Sequence, residues 1–207
     1  MANSAIILLE SFSTRLGQDK ALLKLGDKTL ILHGLERILS VVDEMIIVAT
    51  TKEQMDKLRR IVKTNAEIVL NEHKAQTQLT SALTGFDHTE NEYALLMSSD
   101  MPFINSDVAR LLLECCINRT AAVPRWPDCR VEPMQAAYQT KSALTAAETA
   151  LDKGKFDAGD IITNLRFVRY ISTLVLEQLD TKLLTFFRVN TQLDLRRAET
   201  LIKTIKL

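Results

Sequence analysis

Two cations and a carboxylate far along the chain carry the clearest chemical signal. Arg15 and Lys20 lie five residues apart in a polar stretch that follows the apolar run Ala5–Leu9. Such a pair can converge on a polyphosphate, the guanidinium as a planar fork and the ammonium as a compact charge. The same residues also read as ordinary solvated cations. Asp100 ends a second apolar run, Tyr93–Met97, just before Met101-Pro102, and proline cannot continue a sheet interior. Its carboxylate is a hard oxygen ligand of the kind Mg²⁺ takes alongside phosphate oxygens and water, or else a cap for the following turn. Asn190 can bring an amide to a metal or phosphate, and Asn190 or Thr191 can equally cap a final helix.

The spacing Ser13-x-Arg15-x-Gly17-x-Asp19-Lys20 resembles the signature loop of the molybdenum cofactor guanylyltransferases (MobA-type), which belong to a wider group of sugar-nucleotidyltransferase-like enzymes. Asp100-Met101-Pro102 is similar to that family's metal-binding Asp-Met-Pro segment. Arg188-Val189-Asn190-Thr191-Gln192-Leu193-Asp194 is similar to its Asn-x-Asn-Thr-Pro-x-Asp/Glu-Leu stretch, and Asp128-Cys129-Arg130 to its Asp-Gly-Arg. The resemblance implies catalytic roles for Arg15, Lys20 and Asp100, and metal binding by Asp100 and Asn190. It implies nucleotide contacts from Leu8, Glu10, Ser11, Ser13, Gly17, Asp19, Lys20, Asn71 and Leu79, and acceptor contacts from Arg130 and Asn190. GTP or another nucleoside triphosphate, a molybdopterin-type phosphate acceptor and Mg²⁺ follow as expected partners.

Departures from the family cluster at its glycines. Leu8-Leu9-Glu10-Ser11 stands where the family has Leu-Ala-Gly-Gly, Thr77–Ser81 where it has Gly-Pro-Leu-x-Gly, and Cys129 replaces the glycine of Asp-Gly-Arg. Adjacent glycines let backbone N–H groups approach a phosphate and permit positive φ. Glu10 adds a negative charge beside a negative ligand, and like charges about 4 Å apart repel by roughly 1 to 4 kcal/mol. Three readings follow: transfer of GMP to a molybdopterin phosphate, the same chemistry with another base or acceptor, or a non-catalytic descendant.

Composition bounds the rest. Across 207 residues, Lys plus Arg and Asp plus Glu are 26 each, so no net field recruits nucleic acid or an anionic membrane. Hydrophobic residues at 46% and charged residues at 25% are globular values that argue against disorder. Cys115, Cys116 and Cys129 lack disulfide or zinc spacing, no apolar run reaches the roughly 20 residues of a membrane span, and the N-terminus lacks a basic leader, which together predict a cytoplasmic protein. A homo-oligomer is compatible with all of this. His33, His73 and His88 have no metal-ligand spacing.

The elements that must position these residues alternate. Buried strands are predicted at Ala5–Leu9, Met45–Val48, Ile68–Leu70 and Tyr93–Met97. Helical character begins at Lys20, with helices at about Lys28–Val42, after the Thr51 cap, and at Thr77–Phe86. Beyond Asp100 the pattern predicts a helix from a Ser106 cap to Cys116, strands at Thr120–Val123 and Met134–Tyr138, and helices at Lys141–Leu151 and Ala158–Leu165. Strands at Phe167–Ile171 and Phe186–Val189 and a closing helix Leu193–Lys206 follow. Alternating βαβ units predict an α/β, three-layer, Rossmann-like domain of the nucleotide-diphospho-sugar transferase type with a mostly parallel mixed sheet. A single domain over 1–207 is expected, its nucleotide half about 1–104 and its acceptor half about 105–207.

Overall fold

The computed structural model describes residues 2–9 and 19–204. Glu10, Ser11, Ser13, Arg15 and Gly17 lie outside the described residues. In chain order come β1 (Asn3–Leu8), the hairpin β2 (Lys24–Leu25) and β3 (Lys28–Thr29), α1 (Leu30–Ile38), β4 (Glu44–Ala49), α2 (Lys52–Ile61) and β5 (Ala66–Leu70). Next are α3 (Gln78–His88), β6 (Tyr93–Ser98), α4 (Ser106–Cys116), β7 (Ala121–Arg125), β8 (Gln135–Gln139) and α5 (Thr140–Asp152). The chain closes with α6 (Gly159–Thr163), β9 (Val168–Ser172), α7 (Thr173–Leu176) and α8 (Gln192–Thr204).

The main sheet has the order β5-β4-β1-β6-β8-β7-β9, and β8 alone runs against its neighbours. The mostly parallel mixed sheet is therefore as expected. The central strands β1, β4 and β6 run as apolar stretches because both faces are covered. Ala5, Ile7, Leu95 and Met97 pack with Ile31, Leu35, Leu58 and Leu112 of α1, α2 and α4. The alternate residues Ile6, Leu8, Val48 and Leu96 pack with Phe86, Ala143 and Ala147 of α3 and α5. After β1 the chain builds outward through β4 and β5, then returns to β6 on the other side of β1. That reversal opens a crevice beyond the carboxyl ends of β1 and β6, where open α/β sheets take ligands.

A third apolar cluster ties the two ends of the chain together. Leu23, Leu25 and Leu30 pack with Phe103, Val189, Leu195 and Ala198. Burying a side chain such as Leu25 or Leu195 contributes about 1.5–3 kcal/mol, so α8 is held firmly against the early hairpin. Close helix–sheet contact uses glycine at Gly85, where an added Cβ would lie 2.2 Å from Ile6 Cγ2 and 3.3 Å from Val48 Cγ2.

Several local expectations are corrected. The helical stretch from Lys20 is one 3₁₀ turn, Lys20–Leu22, followed by the β2–β3 hairpin. Gly26 at φ 67° allows its two-residue turn, which delays α1 to Leu30. Asn105, not Ser106, caps α4, its Oδ1 accepting from Asp107 N at 2.8 Å and Val108 N at 3.1 Å. Phe186–Val189 is not a strand. Residues Leu184–Phe186 form a 3₁₀ turn, Thr185 N and Oγ1 are drawn to Asp180 Oδ2, and Val189 N donates to the Asp100 carbonyl at 3.0 Å instead of to a ladder. The closing helix is described to Thr204, and Lys206 lies outside the described residues. Among the described residues no helix is long and apolar enough to cross a membrane.

Candidate active site

Three residues predicted to carry chemistry meet at the crevice. Lys20 Nζ donates to Asn190 Oδ1 at 2.7 Å and lies 3.7 Å from Asp100 Oδ2. Each is delivered by a different element. Asp100 follows β6, and Ser99 N donates to Leu8 O, so the carboxylate emerges beside the end of β1. Asn190 leads into α8, whose docking on Leu23 and Leu25 brings it across to Lys20. Lys20 opens the 3₁₀ turn capped by Asp19, whose Oδ1 accepts from Ala21 N at 3.0 Å.

Sequence reasoning missed two members of this constellation. Arg188 Nε lies 3.4 Å from Asp100 Oδ1, so the fully buried carboxylate has a cation against each oxygen. Gln54, almost entirely buried on α2, donates from Nε2 to Asp19 Oδ2 at 2.6 Å while its Oε1 accepts from Thr50 N at 2.8 Å. Gln54 thus fixes the aspartate that fixes the turn bearing Lys20. Arg188 was visible only as the residue standing where the resembling family has its first asparagine. Gln54 carried no motif at all.

Asp194 completes the support. Its Oδ2 accepts from Asn190 N at 3.2 Å, Thr191 N at 2.9 Å and Thr191 Oγ1 at 2.8 Å, while Thr191 Oγ1 caps α8 through Asp194 N. Burial opposes the charge on Asp194, but the hydrogen bonds from Thr191 and Asn190 outweigh it and hold the carboxyl below its ordinary value. Asn190 therefore sits at the cap while its side chain reaches the site, and the cap itself is Thr191.

The donor set suits a hard divalent cation. Asp100 Oδ2 is buried and takes no hydrogen bond among the described residues, and Asn190 Oδ1 is a second oxygen beside it. One carboxylate plus a carbonyl oxygen matches Mg²⁺, which leaves other positions to water and phosphate. No cluster of three or more His, Cys, Asp or Glu able to hold a metal occurs among the described residues.

The expected nucleotide-side residues Asn71, Leu8 and Leu79 are built into the frame. Asn71 follows β5, and its Nδ2 donates to Thr80 Oγ1 and Ser81 Oγ, both at 3.0 Å, while Oδ1 accepts from His73 N. Leu8 and Leu79 are core residues. Where the family carries glycines, the start of α3 is closed by its own side chains. Thr77 and Thr80 form a reciprocal capping box, and Leu79 N donates to the Phe156 carbonyl at 3.2 Å.

Trp126 to Arg130, the expected acceptor region, form a tight hairpin loop. Cys129 stands at φ 69°, in the left-handed region where the family has glycine. Arg130 Nε donates to Asp128 Oδ2 at 2.8 Å, and its guanidinium lies over the Trp126 ring. Trp126 in turn meets Phe186 edge-on with ring centroids 5.5 Å apart. The loop is thereby tied to the segment carrying Arg188 and Asn190. Arg130 itself is held on the exposed turn and not among Lys20, Asp100 and Asn190. Cys116 is inert here, burial pushing its thiol up to about 12.

A family model described as the MobA-like NTP transferase domain matches residues 5–165. A Methanosarcina mazei protein described as a probable molybdenum cofactor guanylyltransferase is 29% identical over 197 residues, covering 93% of this chain and 88% of its own. The molybdenum cofactor guanylyltransferase of Desulfosudis oleivorans is 29% identical over 203 residues, covering 98% of this chain and 96% of its own. The solved structure of molybdopterin-guanine dinucleotide biosynthesis protein A from Archaeoglobus fulgidus aligns with a TM-score of 0.82 at 25% identity, covering 98% of this chain and 100% of that one. The family model spans most of the polypeptide, and the chain belongs to the MobA-like NTP transferase family.

Proposed function

We propose that this protein transfers GMP from GTP to the terminal phosphate of molybdopterin cofactor and releases pyrophosphate. The observation that carries the reading is the convergence of Lys20, Asp100 and Asn190 on one crevice at 2.7 and 3.7 Å. It is supported by the names of the relatives and by the opening-loop spacing around Arg15 and Gly17.

In the reaction an oxygen of the acceptor phosphate attacks the α-phosphorus, the bond from that phosphorus to the bridging oxygen of the β-phosphate breaks, and pyrophosphate leaves with the electron pair. The acceptor phosphate is already ionised, so no side chain is needed as general base. Lys20, with Arg15 earlier in the same motif, neutralises the phosphates, and orienting the reactants before reaction supplies much of the rate. Asp100 and Asn190 would hold Mg²⁺, which when bound draws off charge from the phosphate oxygens. Asp19 and Gln54 keep the Lys20 backbone fixed. Arg130, exposed on its turn and braced on Trp126, would offer a cation to an anionic pterin phosphate. Residues 1–104 serve the nucleotide and 105–207 the acceptor. Reduced Cys115, Cys116 and Cys129 suit a cytoplasmic setting.

A second reading has its own support. With Leu79 N taken by Phe156 and Thr80 N by Thr77, the start of α3 presents few donors to a guanine, so another base is the alternative. The test is thermal stabilisation by GTP, CTP and ATP with Mg²⁺, followed by chromatography of GTP and molybdopterin incubations for a dinucleotide product and pyrophosphate. Selective GTP stabilisation with product supports the first reading; a preference for CTP or ATP supports the second, and no binding of any nucleotide removes both.

A further inference from the structure

Lys20 stands on the two oxygens best suited to a metal. Its ammonium touches Asn190 Oδ1 at 2.7 Å and faces Asp100 Oδ2 at 3.7 Å, and that carboxylate oxygen is buried without a hydrogen bond among the described residues. A fully buried carboxylate requires a counter-charge in every state of the protein. Arg188 supplies one on the other oxygen at 3.4 Å. A divalent cation brought to the same oxygen pair would meet the ammonium at contact distance, and two cations repel steeply in a poorly solvated site.

We propose that Lys20 and the divalent metal are alternative occupants of the Asp100–Asn190 oxygen pair. Lys20 closes the pair in the ligand-free protein and transfers to the phosphates when a nucleotide arrives, so metal and nucleotide enter together. Arg188 remains on Asp100 in both states as a positioning residue. The proposal rests on the phosphate-transfer reading of this site but not on the identity of base or acceptor.

The framework assigns mobility to the right part. Asp19 and Gln54 anchor the backbone of the Lys20 turn, so the exchange is carried by the four-carbon side chain and leaves that backbone in place. Asp100 is fixed from both sides, its carbonyl taken by Val189 N and its Oδ1 facing Arg188 Nε. Asn190 is fixed through its own N–H on Asp194. The oxygens stay, and the charge between them changes.

The test uses Mn²⁺ as probe, with binding followed by electron paramagnetic resonance for the full chain, Lys20→Met and Arg188→Asn. Without nucleotide, Lys20→Met should bind Mn²⁺ at least 10-fold tighter than the native protein. With pyrophosphate or a non-hydrolysable GTP analogue, the native protein should gain at least 10-fold in Mn²⁺ affinity and Lys20→Met less than 3-fold. Arg188→Asn should bind Mn²⁺ a few-fold tighter throughout and keep the nucleotide-induced gain. A Lys20→Met protein that binds Mn²⁺ alone no better than native, or gains as much from pyrophosphate, overturns the proposal. Lys20→Gln gives the same comparison if circular dichroism shows the methionine variant unfolded. None of these readings needs turnover, so a failed guanylyl-transfer assay and a failed exchange are separable outcomes.

Discussion

Asn190 Oδ1 receives a hydrogen bond from Lys20 Nζ at 2.7 Å across a separation of 170 residues. The bond joins the 3₁₀ turn at Lys20 to the segment leading into α8, and both ends are placed by apolar packing around Leu23, Leu25, Val189 and Leu195. Removing the ammonium with Lys20→Met should lower kcat/KM by about 10²–10³-fold, the scale for a preorganised donor at a charge-developing centre. Asn190→Ala should cost both turnover and about 1–2 kcal/mol of stability. Steady-state kinetics and urea unfolding of the two variants check this, and wild-type turnover in Lys20→Met would exclude a role in phosphate neutralisation.

Gln54 reaches the Lys20 turn through Asp19. Gln54→Leu removes the donor to Asp19 Oδ2 and leaves a half-buried carboxylate without that hydrogen bond. A hydrogen bond to a charged group contributes about 1.5–3 kcal/mol. The expected outcome is a loss in that range in denaturant unfolding, together with a raised KM for the nucleotide as the Lys20 turn loosens. An unchanged KM would detach Gln54 from the site.

Two backbone positions give opposite signs. Gly85→Ala forces a methyl to 2.2 Å from Ile6 Cγ2 and should destabilise by about 1–3 kcal/mol through overpacking of α3 on β1. Cys129→Gly relieves a non-glycine residue at φ 69° and should stabilise by about 1 kcal/mol. Thermal melts of the two variants should shift in opposite directions.

Asp194 ties stability to acid. Its folded pKa is depressed, chiefly by the hydrogen bonds that outweigh partial burial, so its contribution is present above the ordinary carboxylate range near 3.9 and is lost as pH falls through the lower folded value. Between pH 5 and 3 the native protein should lose stability more steeply than Asp194→Asn. Parallel pH–stability curves for the two would rule out this linkage.

The sheet was legible because β1, β4 and β6 are unbroken apolar runs, which only a doubly covered parallel strand requires. Lys20, Asp100 and Asn190 were legible as motif residues, Asp100 just past the end of a strand. Their support was not. Gln54 and Arg188 reach the site through tertiary packing that leaves no local pattern, and the β2–β3 hairpin is too short for periodicity to reveal. The Phe186–Val189 segment has strand composition, yet Asp180 captures Thr185 and Asp100 captures the Val189 N–H, so tertiary hydrogen bonds override propensity. Cys129 shows the converse: a glycine-type conformation survives after the glycine has gone.

The packing of Val189, Leu195 and Ala198 onto Leu23 and Leu25 also dates the cleft within biosynthesis. A ribosome delivers Lys20 170 residues before Asn190, so a nascent chain can lay down strands β1 to β6 before these two side chains can meet. The pairing of Lys20 with Asn190 therefore waits until the segment from Val189 to Ala198 has been made and has packed on the hairpin.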